Sequence, residues 1–255
     1  MATNDLADIT GFVLREFPYK ETSKIIEVFT KELGRISIIA KASMRKNSKT
    51  LSATQRFVKA NYNLYRSGKE FYAIRDASLV ESFGKSKKNF DIILYKSAIA
   101  DLLVKTYDQI QIEVVYRLLE NTFVAFENAK GNYVNIFLAF LLKYISFSGF
   151  KPNLTSCGIC GKKLSNNEIY FSIRESSLIC SLDKYEAKDR IYLDKEEFAY
   201  IKKILYTESE ELENIKVPEN YQKILVLIID YTLDKLEMAK YPSINWVYKN
   251  ALERN

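Results

Sequence analysis

Apolar and polar positions change period once along this chain, near Asn89, and the change separates a strand-built beginning from a helix-built remainder. Residues 11–17 (GFVLREF) alternate roughly, residues 25–29 (IIEVF) are rich in β-branched and aromatic side chains, and residues 35–41 (RISIIAK) follow after KELG. Gly34 can take the positive φ that a tight connection between two strands needs. Two more strands fit residues 62–65 and 71–80, joined by Ser67-Gly68-Lys69. Five short strands within about 80 residues predict a small antiparallel β-barrel of the oligonucleotide-binding (OB) type, with an SH3-like barrel as the nearest alternative.

Beyond Asn89 the apolar positions recur at helical spacing. Residues 90–105 carry Ile93, Leu94, Ala98 and Leu102 on one face, with Asp101 as a polar intruder. Ile110, Val114, Val115, Leu118, Leu119, Thr122, Phe123 and Phe126 continue as a long stripe. After Gly131, residues 133–147 read as a central helix that is hydrophobic nearly all round. Two further helices are expected at residues 195–206 and 221–240, separated by Val217-Pro218. The chain therefore reads as α+β in four segments: a barrel at residues 1–80, helices at 81–155, a cysteine-bearing insert at 156–190 and returning helices at 191–255.

Charge adds a function class to this outline. Between Lys31 and Lys69 there are ten basic residues and a single acidic one, Glu32, whereas residues 81–255 hold 24 of each sign. The net +6 of the chain is thus a local footprint, and a polyanion such as nucleic acid is its natural partner. The segment KASMRKNSKT after the third strand is too polar and irregular for a barrel wall. It reads as a flexible loop presenting Lys41, Arg45, Lys46 and Lys49 to phosphates. Arg35 precedes it, and Arg56, Lys59 and Arg66 follow, interleaved with Phe57, Tyr62 and Tyr65. Those aromatics either stack on bases or fill the barrel core.

The absence of histidine removes Ser–His, Cys–His and His-based metal hydrolysis, and no spacing recommends another catalytic set, so an enzyme is not expected. The opening MATNDLADIT lacks a signal-peptide pattern, and the aliphatic run 136–142 is too short to span a bilayer, which leaves a cytoplasmic protein with no membrane partner as the expectation.

Three cysteines do not make a disulfide scaffold. Cys157-Gly158-Ile159-Cys160-Gly161 has the form of a metal knuckle, in which small residues let backbone amides turn towards sulfur. Cys180 follows, and residues 168–173 and 177–179 could form the hairpin of a small zinc ribbon. A fourth cysteine would fall at position 183, where Asp183 stands. The site is read as structural zinc on Cys157, Cys160, Cys180 and Asp183, with water in the fourth position or a metal-free ribbon as alternatives.

In order along nearly the whole chain, these pieces resemble the bacterial RecO family of recombination mediators and DNA repair proteins. The stretch VLREFPYKETSKIIEVFTKELGRISIIAKASMRKNSK matches that family's opening pattern, with Ala42 where a glycine is usual. Ser148-Gly149-Phe150-Lys151-Pro152-Asn153-Leu154 before CGICG resembles its SG-x-x-P-x-L segment, and Ser176-Ser177 takes the place of a common glycine pair. The resemblance implies binding to single- and double-stranded DNA, annealing of complementary strands, and help in loading RecA onto DNA covered by single-strand-binding protein. It also implies RecR and the C-terminal tail of single-strand-binding protein as partners, and a place at the nucleoid. An RNA-binding barrel and a non-catalytic interaction scaffold are the competing readings of the same charge.

Overall fold

The computed structural model describes residues 5–106, 111–164 and 169–253. Ile110 and Glu168, both used in the sequence reading, lie outside them. The chain divides into two compact units, Met1–Glu127 and Asn128–Asn255.

In the first unit, β1 (Asp5–Tyr19), β2 (Ser23–Thr30), β3 (Gly34–Ala40), β4 (Lys59–Arg66) and β5 (Phe71–Glu81) form a closed barrel in the order β1-β2-β3-β5-β4. Four seams are antiparallel, but closure runs through a parallel β3–β5 seam, pairing Ser37–Phe71 to Ile39–Ala73. Gly34 turns β2 into β3 at φ 66°, as its place in the sequence predicts, and Gly68 does the same between β4 and β5 at φ 92°. The interior holds Ile9, Val13, Ile26, Val28, Ile38 and Leu64, with Tyr62 fully enclosed and its hydroxyl donating to the Ala53 carbonyl. Tyr62 is therefore core.

The rough alternation of β1 has a physical origin. A register shift between Val13 and Arg15 lets the strand bury both faces. Val13 enters the barrel, while Phe12 meets Tyr116 and Phe123, each with ring centroids 5.4 Å away. The latter two stand on α2 (Ile112–Asn128), which follows α1 (Phe90–Thr106). The polar intruder on α1 is also explained: Asp101 holds Arg15 of β1 at 2.6 Å.

The second unit is built around α3 (Tyr133–Ile145), continued by a π-helical turn to Phe150. The whole stretch Tyr133–Phe150 is long and apolar enough to cross a membrane, yet 61% of it is buried inside the protein, as in a core helix. Asn135 at its start is fully buried and donates to the carbonyls of Leu212 and Ile215 while accepting from Tyr200. Gly149, at φ 93°, ends the turn within the SG-x-x-P segment. A four-stranded sheet follows, β6 (Asn153–Cys157), β7 (Ile169–Ser172), β8 (Ser177–Ile179) and β9 (Ile191–Leu193), in the order β6-β8-β7-β9. The expected hairpin is β7–β8, and the outer strands β6 and β9 are additions to it. α4 (Lys195–Tyr206) opens with a capping box between Asp194 and Glu197. The helix expected at residues 221–240 is α5 (Tyr221–Lys235), which stops short of Glu237 at φ 51°, and a further helix that the pattern does not predict, α6 (Pro242–Glu253), starts at Pro242.

Candidate nucleic-acid interface and metal centre

Residues 41–51, between β3 and the 3₁₀ turn Ser52–Thr54, are a run of turns rather than a floating loop. Arg45 N donates to Ala42, Ser48 N to Arg45 and Leu51 N to Ser48. The run is tied to the β1–β2 connection by Met44 N to the Thr22 carbonyl at 2.9 Å and Ala42 N to Ser23 Oγ at 3.1 Å. Ala42, which replaces the family's usual glycine, has φ 52°. That left-handed backbone is the reason a glycine suits the position.

The eight candidate cations fall into three environments. Arg45, Lys46 and Lys49 are exposed, and their side chains make no ion pair or hydrogen bond among the described residues. Lys41 and Arg66 are exposed beside aromatic rings: Lys41 Nζ donates to Tyr65 Oη at 3.1 Å, and the Arg66 guanidinium lies 5.6 Å from the Tyr72 ring centre. Arg35, Arg56 and Lys59 are engaged within the fold. Arg35 lies 3.8 Å from Glu27, with a buried Nε that has no hydrogen-bond partner. Lys59 pairs with Glu120 of α2. Arg56 donates from Nε to the Leu14 carbonyl at 3.1 Å, and its guanidinium sits 4.5 Å from the centre of Phe57. Burial pulls Arg56 below the ordinary guanidinium range, with Asp101 opposing. Of the three aromatics weighed for stacking, Tyr62 and Phe57 are buried and Tyr65 is partly open.

The metal centre gathers residues from two turns. Cys157 closes β6, Cys160 follows in its turn, and Cys180 and Asp183 lie after β8. Their ligand atoms all lie within 4.8 Å of one another. Cys160 Sγ and Cys180 Sγ are 3.9 Å apart, close to the edge of about 3.8 Å that tetrahedral zinc–thiolate bonds require. Asp183 Oδ2 accepts from both Cys157 and Cys180 at 3.1 Å. Hydrogen bonding to Asp183 pushes the Cys160 thiol up to about 12, while burial and the same carboxylate raise Cys180; the thiols in turn hold Asp183 low. One carboxylate charge thus keeps protons on sulfur, and a divalent cation would displace them. The donor set fits a metal ion. Close approach explains the small residues around the knuckle: a Cβ on Gly158 would lie 2.7 Å from that of Ser177. Ser176, at the first of the two positions where the family has glycines, has φ 51°.

Two contributors escaped the sequence reading. Lys96 is fully buried on α1, with Nζ 4.4 Å from the Phe123 ring centre and 4.9 Å from that of Phe83. Glu120 of α2 is the acid that holds Lys59. Neither has a local signal, because both depend on which face α1 and α2 turn to the barrel.

Two family models match nearly the whole chain: Recombination protein O N terminal over residues 5–83 and Recombination protein O C terminal over residues 88–240. A DNA repair protein RecO from Alkaliphilus metalliredigens is 30% identical over 244 residues, covering 90% of this chain and 97% of the relative. The RecO of Caldicellulosiruptor saccharolyticus is 30% identical, covering 90% and 92% respectively. That of Desulforamulus reducens is 25% identical, covering 96% of both chains.

Proposed function

The chain belongs to the RecO family and is a non-enzymatic mediator of DNA recombination, and we propose that it acts through the basic run of turns at the barrel's edge. The observation that carries this reading is the set Arg45, Lys46 and Lys49, three exposed cations with no partner among the described residues, on a backbone pinned to the β1–β2 connection. Cations held ready on a fixed backbone attract phosphates without first breaking internal ion pairs. Lys41 and Arg66 extend the set, each beside a tyrosine ring. Arg35, Arg56 and Lys59 support it from inside the fold.

The mechanism has no bond-making step. Phosphate contacts from the turns lower the repulsion between two complementary strands and raise their local concentration, and base pairing then supplies the specificity. Single- and double-stranded DNA are the proposed ligands, with RecR, RecA loading and the tail of single-strand-binding protein as the protein side, in the cytoplasm at the nucleoid. A cavity of about 590 Å³ along α4 suits a carboxylate-bearing tail, because Lys195, Lys202 and Lys203 line it together with Phe198 and Tyr206. Zinc on Cys157, Cys160, Cys180 and Asp183 would supply structural cross-linking of the ribbon.

The test is annealing and binding of dye-labelled DNA strands across a salt series. Replacing Lys41, Arg45, Lys46 and Lys49 by alanine is expected to slow annealing and to flatten the salt dependence of single-strand binding by about 3 in log–log slope. An unchanged slope in a folded four-alanine protein would refute the assignment.

A further inference from the structure

A cavity of about 740 Å³ opens in the first unit, beside the run of turns and the starts of β2 and α1. Its walls include Phe17, Pro18, Met44, Leu51, Phe57 and Ile93. Phe17 and Met44 are 45% and 48% exposed, a large apolar area to leave open on a highly charged surface. Three cations, Lys24, Arg56 and Lys87, face one carboxylate, Glu16. Lys24 is bound to Glu16 at 2.5 Å and Lys87 to Gln55 at 2.6 Å. Arg56 differs: its Nε is taken by Leu14, but its terminal nitrogens make no hydrogen bond or ion pair among the described residues. The cavity therefore combines flat apolar walls, a guanidinium with spare donors and a net positive field.

We propose that this cavity receives an unstacked base of a single DNA strand whose phosphates lie along Arg45, Lys46 and Lys49. The run of turns divides its own side chains to that end: Met44 and Leu51, at its two ends, line the cavity, while the three cations between them in sequence are exposed to solvent. A base is a flat ring with a polar edge, which suits aromatic walls beside spare guanidinium donors. The volume lies in the range of ordinary small-ligand sites and accommodates a base with its sugar. Continuity with the cationic turns makes the occupant a strand rather than a free nucleotide. A duplex can fill the cavity only by unpairing a base, so the site favours single strands and holds them unstacked before they meet a complement. This inference rests on the DNA-binding role of the turns proposed above.

The test compares oligothymidylate with an abasic sugar–phosphate strand of equal length, using the full chain at several salt concentrations. Both strands carry the same charge, so the ratio of their affinities reads the bases alone. The unaltered protein is expected to bind oligothymidylate about tenfold or more tightly than the abasic strand. Phe17→Ala with Met44→Ala, both at exposed positions, should bring the ratio towards one and keep the salt slope. The four-alanine turn variant should weaken both strands and keep the ratio. Thymidine monophosphate in excess should not displace the strand; displacement would make the occupant a free nucleotide and overturn the proposal. Equal affinities in the unaltered protein with a normal salt slope would overturn the base pocket alone and leave the cavity to a protein segment. A ratio that survives in the Phe17/Met44 variant would overturn it too. Binding of neither strand at low salt would overturn the role of the turns, and the pocket with it.

Discussion

The run of turns at residues 41–51 is hydrogen-bonded to a barrel with a large core of its own, whereas the turns bearing Cys157, Cys160, Cys180 and Asp183 rise from a short-stranded sheet and close over a much smaller cluster to which two of the cysteines belong. The barrel buries ten residues in one cluster and adds an aromatic layer of Phe12, Phe57, Phe83, Tyr116 and Phe123 against α2. Among the described residues, the cluster at the ribbon's cysteine end has Cys157, Ile179 and Ala187 as its buried members. Functional side chains on the barrel can therefore be exchanged without loss of the fold, because they are not what supports it. At the cysteine end of the ribbon the candidate ligands are themselves part of the small core, so site and local scaffold fail together there, while Leu154, Phe171, Leu178 and Leu193 bury the rest of the sheet.

The sharpest way to break this contrast is Cys160→Ala, or removal of metal by a chelator. Metal binding at structural zinc sites contributes about 10 kcal/mol or more to folding, so the turns at residues 157–163 and 180–187 should lose amide protection while β1–β5 keep theirs. Full protection in the ribbon of a metal-free protein would mean that its small core suffices.

A smaller effect tests whether the barrel's helical layer carries its own cost. Burial between Phe83 and Phe123 lowers Lys96 to about 7, against the partly offsetting attraction of Glu127 and Glu81. Between that value and its ordinary 10.5, the unfolded chain binds a proton that the folded chain does not. This contribution to stability therefore rises as pH climbs from about 7 towards 10.5, and the penalty is complete below that window. Lys96→Met should flatten the rise, read as urea midpoints at pH 6 and pH 9.5, and identical pH dependences would show that the ammonium stays charged in the fold.

The smallest expected change is at the pinned turns. Ala42→Gly relieves a left-handed backbone at φ 52°, and should raise the denaturation free energy by about 0.5–1 kcal/mol without altering DNA binding. A loss of stability instead would mean that the tie from Ala42 N to Ser23 Oγ depends on the stiffer residue.

Much of this was legible because it is local. The β-rich run at residues 25–29, the strand that follows at 35–41, the turn at Gly34 and the helical stripe through Phe123 and Phe126 each depend on a few neighbouring residues, and each appears in the structure where the pattern places it. The cysteine spacing likewise announced a cluster, and the fold brings all four ligand atoms together. α6 was missed because its apolar positions are sparse, and β6 and β9 because strands of five and three residues carry almost no periodic signal.

By itself, then, the amino-acid order determined the barrel strands, most helices, the cysteine cluster and the concentration of charge between Lys31 and Lys69. Only the tertiary structure decided how that charge is divided. Arg45, Lys46 and Lys49 remain open, while Lys59 is bound by Glu120 and Arg35 lies against Glu27. It also decided that Phe17 and Met44 share a cavity with Arg56, and that Lys96 lies between two rings. The reason is physical. Periodicity and turn chemistry act over a few residues, but the environment of a charge is set by groups brought near it from distant parts of the chain.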